Sequence, residues 1–146
     1  MTEKESISHA VFRVARLHRM VAGQLLRQVG LHPGQELVMM HLWNAGPQRL
    51  SDLVQAVGSD AATMTRTVQR LEHAGFVRRR PCEADKRVVI VEPTSASLAL
   101  RDKVEQMWDQ LDAITVCDLP EEESAEALRV LRSLERNLLR AASRDA

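Results

Sequence analysis

Residues 50–93 read LSDLVQAVGSDAATMTRTVQRLEHAGFVRRRPCEADKRVVIVEP, and this stretch decides the fold. Two short segments, 50–57 and 60–74, lie either side of a Gly58-Ser59 turn, and each carries apolar residues at helical spacing. In the second, Met64, Val68 and Leu71 are expected to face a core. Ala62, Thr63, Thr65, Arg66, Gln69 and Arg70 are then left on or near the outer face. Two short helices about a glycine turn form a helix-turn-helix pattern. After Gly75 the period changes. Phe76-Val77-Arg78-Arg79-Arg80 and Val88-Val89-Ile90-Val91 read as strands around a polar loop, hence a β-hairpin.

The side chains of this stretch suit a nucleic-acid surface. Small residues let a helix approach base edges closely, and threonine offers a methyl for thymine and a hydroxyl for phosphate. Arg66 can reach guanine O6 and N7 or a phosphate. Ser59 and Asp60 are placed to cap the second helix, whose positive N-terminal end also suits a phosphate. At the hairpin tip, Arg87 beside Lys86 can enter a minor groove, where negative potential is concentrated. Asp85 can brace the Arg87 guanidinium by a charge-assisted bond. The chain has a formal net charge of zero, so only the local balance carries weight. Between Arg66 and Arg87 lie seven Lys or Arg (66, 70, 78, 79, 80, 86, 87) against three acids (72, 83, 85). Compensating acids sit at Glu121 to Glu123 and Glu126. Such segregation is the footprint of a nucleic-acid binder.

Working outward, Ile7, Val11, Val14, Leu17, Val21 and Leu25 mark one face of a first helix that Gly30 closes. A second helix is expected to start near Pro33, present Leu37, Met40 and Trp43, and end at Gly46. Beyond the hairpin, Pro93 ends the second strand and Thr94 or Ser95 can cap a new helix. That helix carries Leu98, Val104, Met107, Trp108, Leu111 and Ile114. Pro120 breaks the chain, and Glu121-Glu122-Glu123 favour the first turn of a last helix, with Leu128, Leu131, Leu134 and Leu138 on its inner face. The fold class is therefore mainly α with a small β-hairpin wing, a winged helix-turn-helix plus a helical region, in the order ααααββαα.

Composition excludes several classes. With 146 residues, the chain can bury one core. Cys82 and Cys117 are too sparse for a disulfide framework, and no metal-ligand spacing appears, so neither a metal nor a cofactor is expected. Oxidation of Cys82, with arginines nearby to lower its pKa, could disturb the wing, and Cys117 reads as packing. No apolar run approaches the roughly 20 residues of a membrane span. The polar start, Met1 to Glu5, lacks a signal-peptide core, so a cytoplasmic location is expected. No Ser/His/Asp order, buried carboxylate pair or phosphate loop suggests an enzyme.

These segments closely resemble the MarR (multiple antibiotic resistance regulator) family. The resemblance is carried by His32-Pro33-Gly34-Gln35-Glu36-Leu37, Leu50-Ser51-Asp52-Leu53, Ala62-Thr63-Met64-Thr65-Arg66, Arg70 to Arg79, Asp85-Lys86-Arg87 and Leu119-Pro120-Glu121-Glu122-Glu123. It implies one domain over 1–146, with a winged helix-turn-helix lobe over 33–93 that binds double-stranded DNA. Residues 1–30 and 95–146 would be dimerisation helices of a homodimer. By position, Ala62, Thr63, Thr65 and Arg66 would approach bases and Arg87 would be the wing-tip contact. Ser59, Asp60, Arg70 and Arg78 would mainly meet the DNA backbone. The usual family role is repression of a pseudo-palindromic operator, relieved by a small, often phenolic ligand. Arg16, His18, Met40, His41, Trp43 and Trp108 are the candidates to line such a ligand's site, although the apolar ones also read as core. Where the family commonly has Leu-Thr and then a glycine after the wing, this chain has Pro93-Thr94-Ser95-Ala96-Ser97, so the approach to the fifth helix is expected to differ. A second reading, favoured by the neutral net charge, is a winged-helix protein-interaction module that no longer binds DNA.

Overall fold

The computed structural model describes residues 4–144; the ends of the two expected dimerisation segments, 1–3 and 145–146, lie outside the described residues. The elements are α1 (Ile7–Val29), α2 (Gln35–Ala45), β1 (Gln48–Arg49), α3 (Leu50–Val57), α4 (Ala61–His73), β2 (Val77–Pro81) and β3 (Val89–Pro93). A 3-10 turn (Ser95–Ser97), α5 (Leu98–Val116) and α6 (Glu121–Arg144) follow. The chain divides into two compact units, one up to Leu111 and one from Asp112 onward.

The first unit is built on one apolar cluster. Leu26, Leu31, Val38, Met39, Leu42, Leu53, Met64, Val68, Leu71, Val77, Val91, Leu100, Val104 and Met107 are all buried in it. Removing apolar surface of this kind from water is the main favourable term in folding. The cluster draws Met64, Val68 and Leu71 inward together, as their spacing requires, and so turns the opposite face of α4 to solvent. The α3–α4 turn depends on Gly58, whose φ of 74° lies in the left-handed region open to glycine.

Several expectations are corrected. Helix α2 starts at Gln35, not near Pro33. Gly34 breaks the helix with a φ of 97°, and the Gln35 and Glu36 side chains accept the amides of His32 and Gly34 at 3.0 and 2.9 Å. Both side chains are consequently buried, and burial pushes the Glu36 carboxyl above its ordinary range. The inner face of α2 is Val38, Met39 and Leu42, while Leu37 is exposed. In α5, Leu98 and Ile114 are exposed, and Leu100, not singled out from the sequence, is buried.

The hairpin is one part of a three-stranded antiparallel sheet in the order β1-β3-β2. Register places Gln48 and Arg79 opposite Val91, and Arg49 and Arg80 opposite Ile90. Thr94 stands at the head of the 3-10 turn but makes no side-chain cap. Its hydroxyl instead donates to the Gly75 carbonyl at 2.6 Å, tying the end of β3 to the α4–β2 turn. Buried Ser97 donates to Thr94 O and accepts the Trp43 indole N–H at 3.0 Å. Cys117 is exposed and left-handed, with a φ of 51°, so it is a helix terminator and not a packing residue.

In the second unit α6 has no buried residue. Its expected inner face lies in the open, with Leu128, Leu131 and Leu138 at 49, 57 and 66 % exposure. In the first unit α1 likewise exposes Ile7, Val11, Phe12, Val14, Leu17 and Met20. Apolar stripes of this length on helices are unusual for a surface that stays in water.

Candidate nucleic-acid interface

Helix α4 begins at a well-formed cap. Asp60 accepts the Thr63 amide at 2.7 Å and the Thr63 hydroxyl at 2.8 Å. The amide bond, then the hydroxyl bond, holds the Asp60 carboxyl below its ordinary value of 3.8. Ser59, also expected to cap, does not: its hydroxyl donates to Asp60 O at 3.3 Å, too far back along the chain to reach the helix amides. A lowered acid stabilises the fold above its unfolded pKa, and that contribution is lost as pH falls through the folded value. Asp60→Ala is therefore expected to speed amide exchange at Thr63 well above pH 3.8. The gap from the parent should close as the solution is acidified, and equal exchange at neutral pH would refute the cap.

Ala62 lies three and four residues before Thr65 and Arg66, and Gln69 four and three after them, so the four share a face of α4, with Thr63 and Arg70 at its margins. Ala62, Thr63, Arg66, Gln69 and Arg70 are exposed and Thr65 is half-buried. The Thr65 hydroxyl donates to Ala61 O at 2.9 Å and the Thr63 hydroxyl to Asp60. Their protons are therefore committed within the helix, leaving methyl groups and lone pairs for an outside contact. Arg66 and Arg70 make no ion pair among the described residues.

The wing is closed by Cys82 N–H donating to Val88 O at 2.8 Å and Val88 N–H to Asp85 O at 3.0 Å. At its tip Asp85 accepts the Arg87 amide and Nε, each at 3.1 Å, and Nη2 at 3.3 Å. These bonds lower the Asp85 carboxyl and fix the direction of an arginine whose side chain is 92 % exposed. Lys86 beside it is exposed and unpaired among the described residues. The Cys82 thiol is half-buried and held below its ordinary range chiefly by the amides of Asp85 and then Ala84. Arginine contributes less than expected, through the charge of Arg49.

Carboxylates that the local charge count did not pair take up the strand arginines. Glu92 lies opposite Arg78, bonds its Nε at 2.7 Å, and bonds Arg80 Nε at 3.1 Å. Glu72 on α4 takes Arg79 Nη2 at 2.9 Å and the Arg79 amide at 3.2 Å. Arg78 keeps 71 % of its side chain exposed. Among the described residues, the lysines and arginines of the winged lobe that make no ion pair are therefore Arg66, Arg70, Lys86 and Arg49. The last was missed because β1 has two polar residues and no periodicity to reveal it.

The six candidate ligand residues differ in burial. Met40, Trp43 and Trp108 pack against the core cluster. His18 and His41 are half-buried, and Arg16 is exposed, lining a surface depression with Phe12, Ala15, Arg19 and Met20. Among the described residues, Trp108 Nε1 finds no hydrogen-bond partner although it is buried.

Comparison with known proteins agrees with this geometry. The MarR family model matches residues 31–89. The chain is 27 % identical over 130 residues to the HTH-type transcriptional repressor NicR of Pseudomonas putida, covering 89 % of this chain and 82 % of that protein. It is 23 % identical over 129 residues to the HTH-type transcriptional regulator MgrA of Staphylococcus aureus, covering 88 % and 86 %. Among solved structures, BpsR of Bordetella bronchiseptica superposes with a TM-score of 0.81 at 24 % identity over 92 % of this chain and 96 % of that one. That structure concerns regulation of DNA binding by 6-hydroxynicotinic acid. A single-site mutant of MarR from E. coli in complex with operator DNA superposes at 0.79 with 22 % identity, over 88 % and 92 %. No helix among the described residues is long and apolar enough to cross a membrane. Residues 31–89 thus match the MarR family model, and the chain is similar in sequence to HTH-type transcriptional regulators and in fold to MarR.

Proposed function

We propose that the protein is a dimeric, sequence-specific DNA-binding regulator that represses from a pseudo-palindromic operator. Residues 33–93 act as the DNA lobe, and 1–30 and 95–146 as the dimerisation helices. The observation that carries this reading is the pairing of an open α4 face with a braced arginine at the wing tip. Ala62, Thr65, Arg66 and Gln69 form the face, and Arg87 is aimed by Asp85. The face enters a major groove, where Arg66 reads a base pair and the small residues allow close approach. Arg87 enters the flanking minor groove. Asp60, Arg70, Arg78 and Lys86 set the position on the backbone, and Ser59 stands at the same helix end. The exposed apolar stripes of α1 and α6 are the surfaces that a second copy covers.

A small hydroxylated aromatic molecule relieves repression in this reading. It is supported by the 6-hydroxynicotinic acid response named for BpsR and by the unpartnered Trp108 Nε1 donor. The DNA reading is tested by titrating the purified protein into a labelled duplex pool at rising salt. A dimer neutralising 6–10 phosphates should lose about 10³–10⁵ in affinity between roughly 50 and 200 mM salt. Absence of binding at the lowest salt would reject the reading and favour a protein-interaction module.

A further inference from the structure

The wing sheet has two faces. Val91 is fully buried, so the row Gln48–Val91–Arg79 looks toward the core. Residues directly opposite across strands share a face, and neighbours along a strand alternate. The next row, Arg49–Ile90–Arg80, therefore looks outward, as does the pair Arg78–Glu92. Three arginines thus share the outer face. Arg78 and Arg80 are both bonded to Glu92. Arg49 is exposed and makes no ion pair among the described residues.

Its position along the strand matters as much. Strand β1 is an edge of the sheet and runs antiparallel to β3, and Arg49 is its last residue on the side of the hairpin loop. Neighbouring strands lie about 4.8 Å apart, so a three-stranded sheet spans about 10 Å between its outer strands. The minor groove is only about 6 Å wide. A loop bearing Arg87 can enter such a groove, but the sheet behind it cannot. The loop ends of the outer strands must then stand over the phosphate walls. One of those ends carries Arg80 and Pro81, and the other carries Arg49.

We propose that Arg49 is a further duplex contact, resting its guanidinium on a sugar–phosphate backbone beside the groove that Arg87 enters. This rests on the DNA-binding reading above. The charge of Arg49 is felt by Cys82 at the base of the loop and by Asp85 within it, which agrees with a side chain directed along the wing. Arg49 supplies a charge at a place where the strand arginines are already held by an acid. It positions the wing and reads no base, so its effect is uniform across sequences.

The test compares the parent, Arg49→Gln and Arg49→Lys on a specific duplex and on an unrelated one, each over a range of salt. Arg49→Gln should weaken both by about tenfold, the size of one solvent-exposed ion pair in each of two subunits. It should also reduce the slope of log affinity against log salt by about 1.8, which is about 0.9 for each of two subunits. Arg49→Lys should retain most of the slope. The same comparison in an Asp85→Asn background separates contact from bracing. A phosphate contact still lowers the slope there, whereas a residue that acts only by holding Asp85 has no further effect. Parental affinity and slope in Arg49→Gln, or a loss that vanishes in the Asp85→Asn background, would overturn the proposal alone. A parent that binds neither duplex would overturn the regulator reading as well.

Discussion

Leu131→Glu combined with Leu138→Glu is expected to convert the protein from a dimer of twice 16.4 kDa to a monomer of that mass. Both leucines are more than half exposed in the single chain and seven residues apart, so they lie on one face of α6. Neither leucine belongs to the core cluster of the first unit, all of whose members lie before Asp112. The winged lobe should keep its helical spectrum and its own unfolding transition. In a dimer, two carboxylates in each apolar seam would be desolvated without partners, which is strongly unfavourable. Operator affinity should fall by about 10²–10⁴, because each half-site would then be bound without the effective concentration that linkage supplies. Sedimentation equilibrium checks the mass. A double variant that remains dimeric with parental affinity would show that α6 is not the seam.

Arg66→Ala is expected to be the most damaging single change on α4. Arg66 is exposed, lies mid-face on α4 and is free of any ion pair among the described residues. Its removal therefore costs the fold little and the complex much. A good bidentate contact to guanine is worth about 1–3 kcal/mol. A dimer loses it twice, and the preference at one base pair in each half-site should relax. Unspecific binding should weaken far less. Competition between specific and unrelated duplexes measures the difference. An equal loss on both would place Arg66 on a phosphate.

The contrast among these residues shows what was legible in the sequence. Helix α4 could be read because Met64, Val68 and Leu71 set its phase unambiguously, and everything outward followed from that phase. The Asp85–Arg87 brace could be read because its partners are two residues apart. Helix α2 was different. VMMHLW is apolar on nearly every side, so periodicity could not choose between Leu37 and Val38, and the buried polar pair Gln35 and Glu36 resolved it only through contacts with the turn before them. Strand β1 was invisible because two polar residues become a strand only when β3 pairs with them. The Glu72 and Glu92 partners were missed for a related reason. Glu92 is set opposite Arg78 by strand register and Glu72 meets Arg79 through the packing of α4 against β2, so a charge count over a window registers arginines that the fold has already matched.

The most direct measurement is selection of binding sites from random duplex by the purified protein, followed by mapping of the enriched sequence. Two inverted half-sites about one helical turn apart, roughly 10 base pairs, are expected. They should be protected on one side of the duplex and lost to the Arg66→Ala variant. A pool that shows no enriched sequence after repeated rounds, or a single unrepeated half-site bound by one subunit, would contradict paired reading of the duplex by two α4 helices.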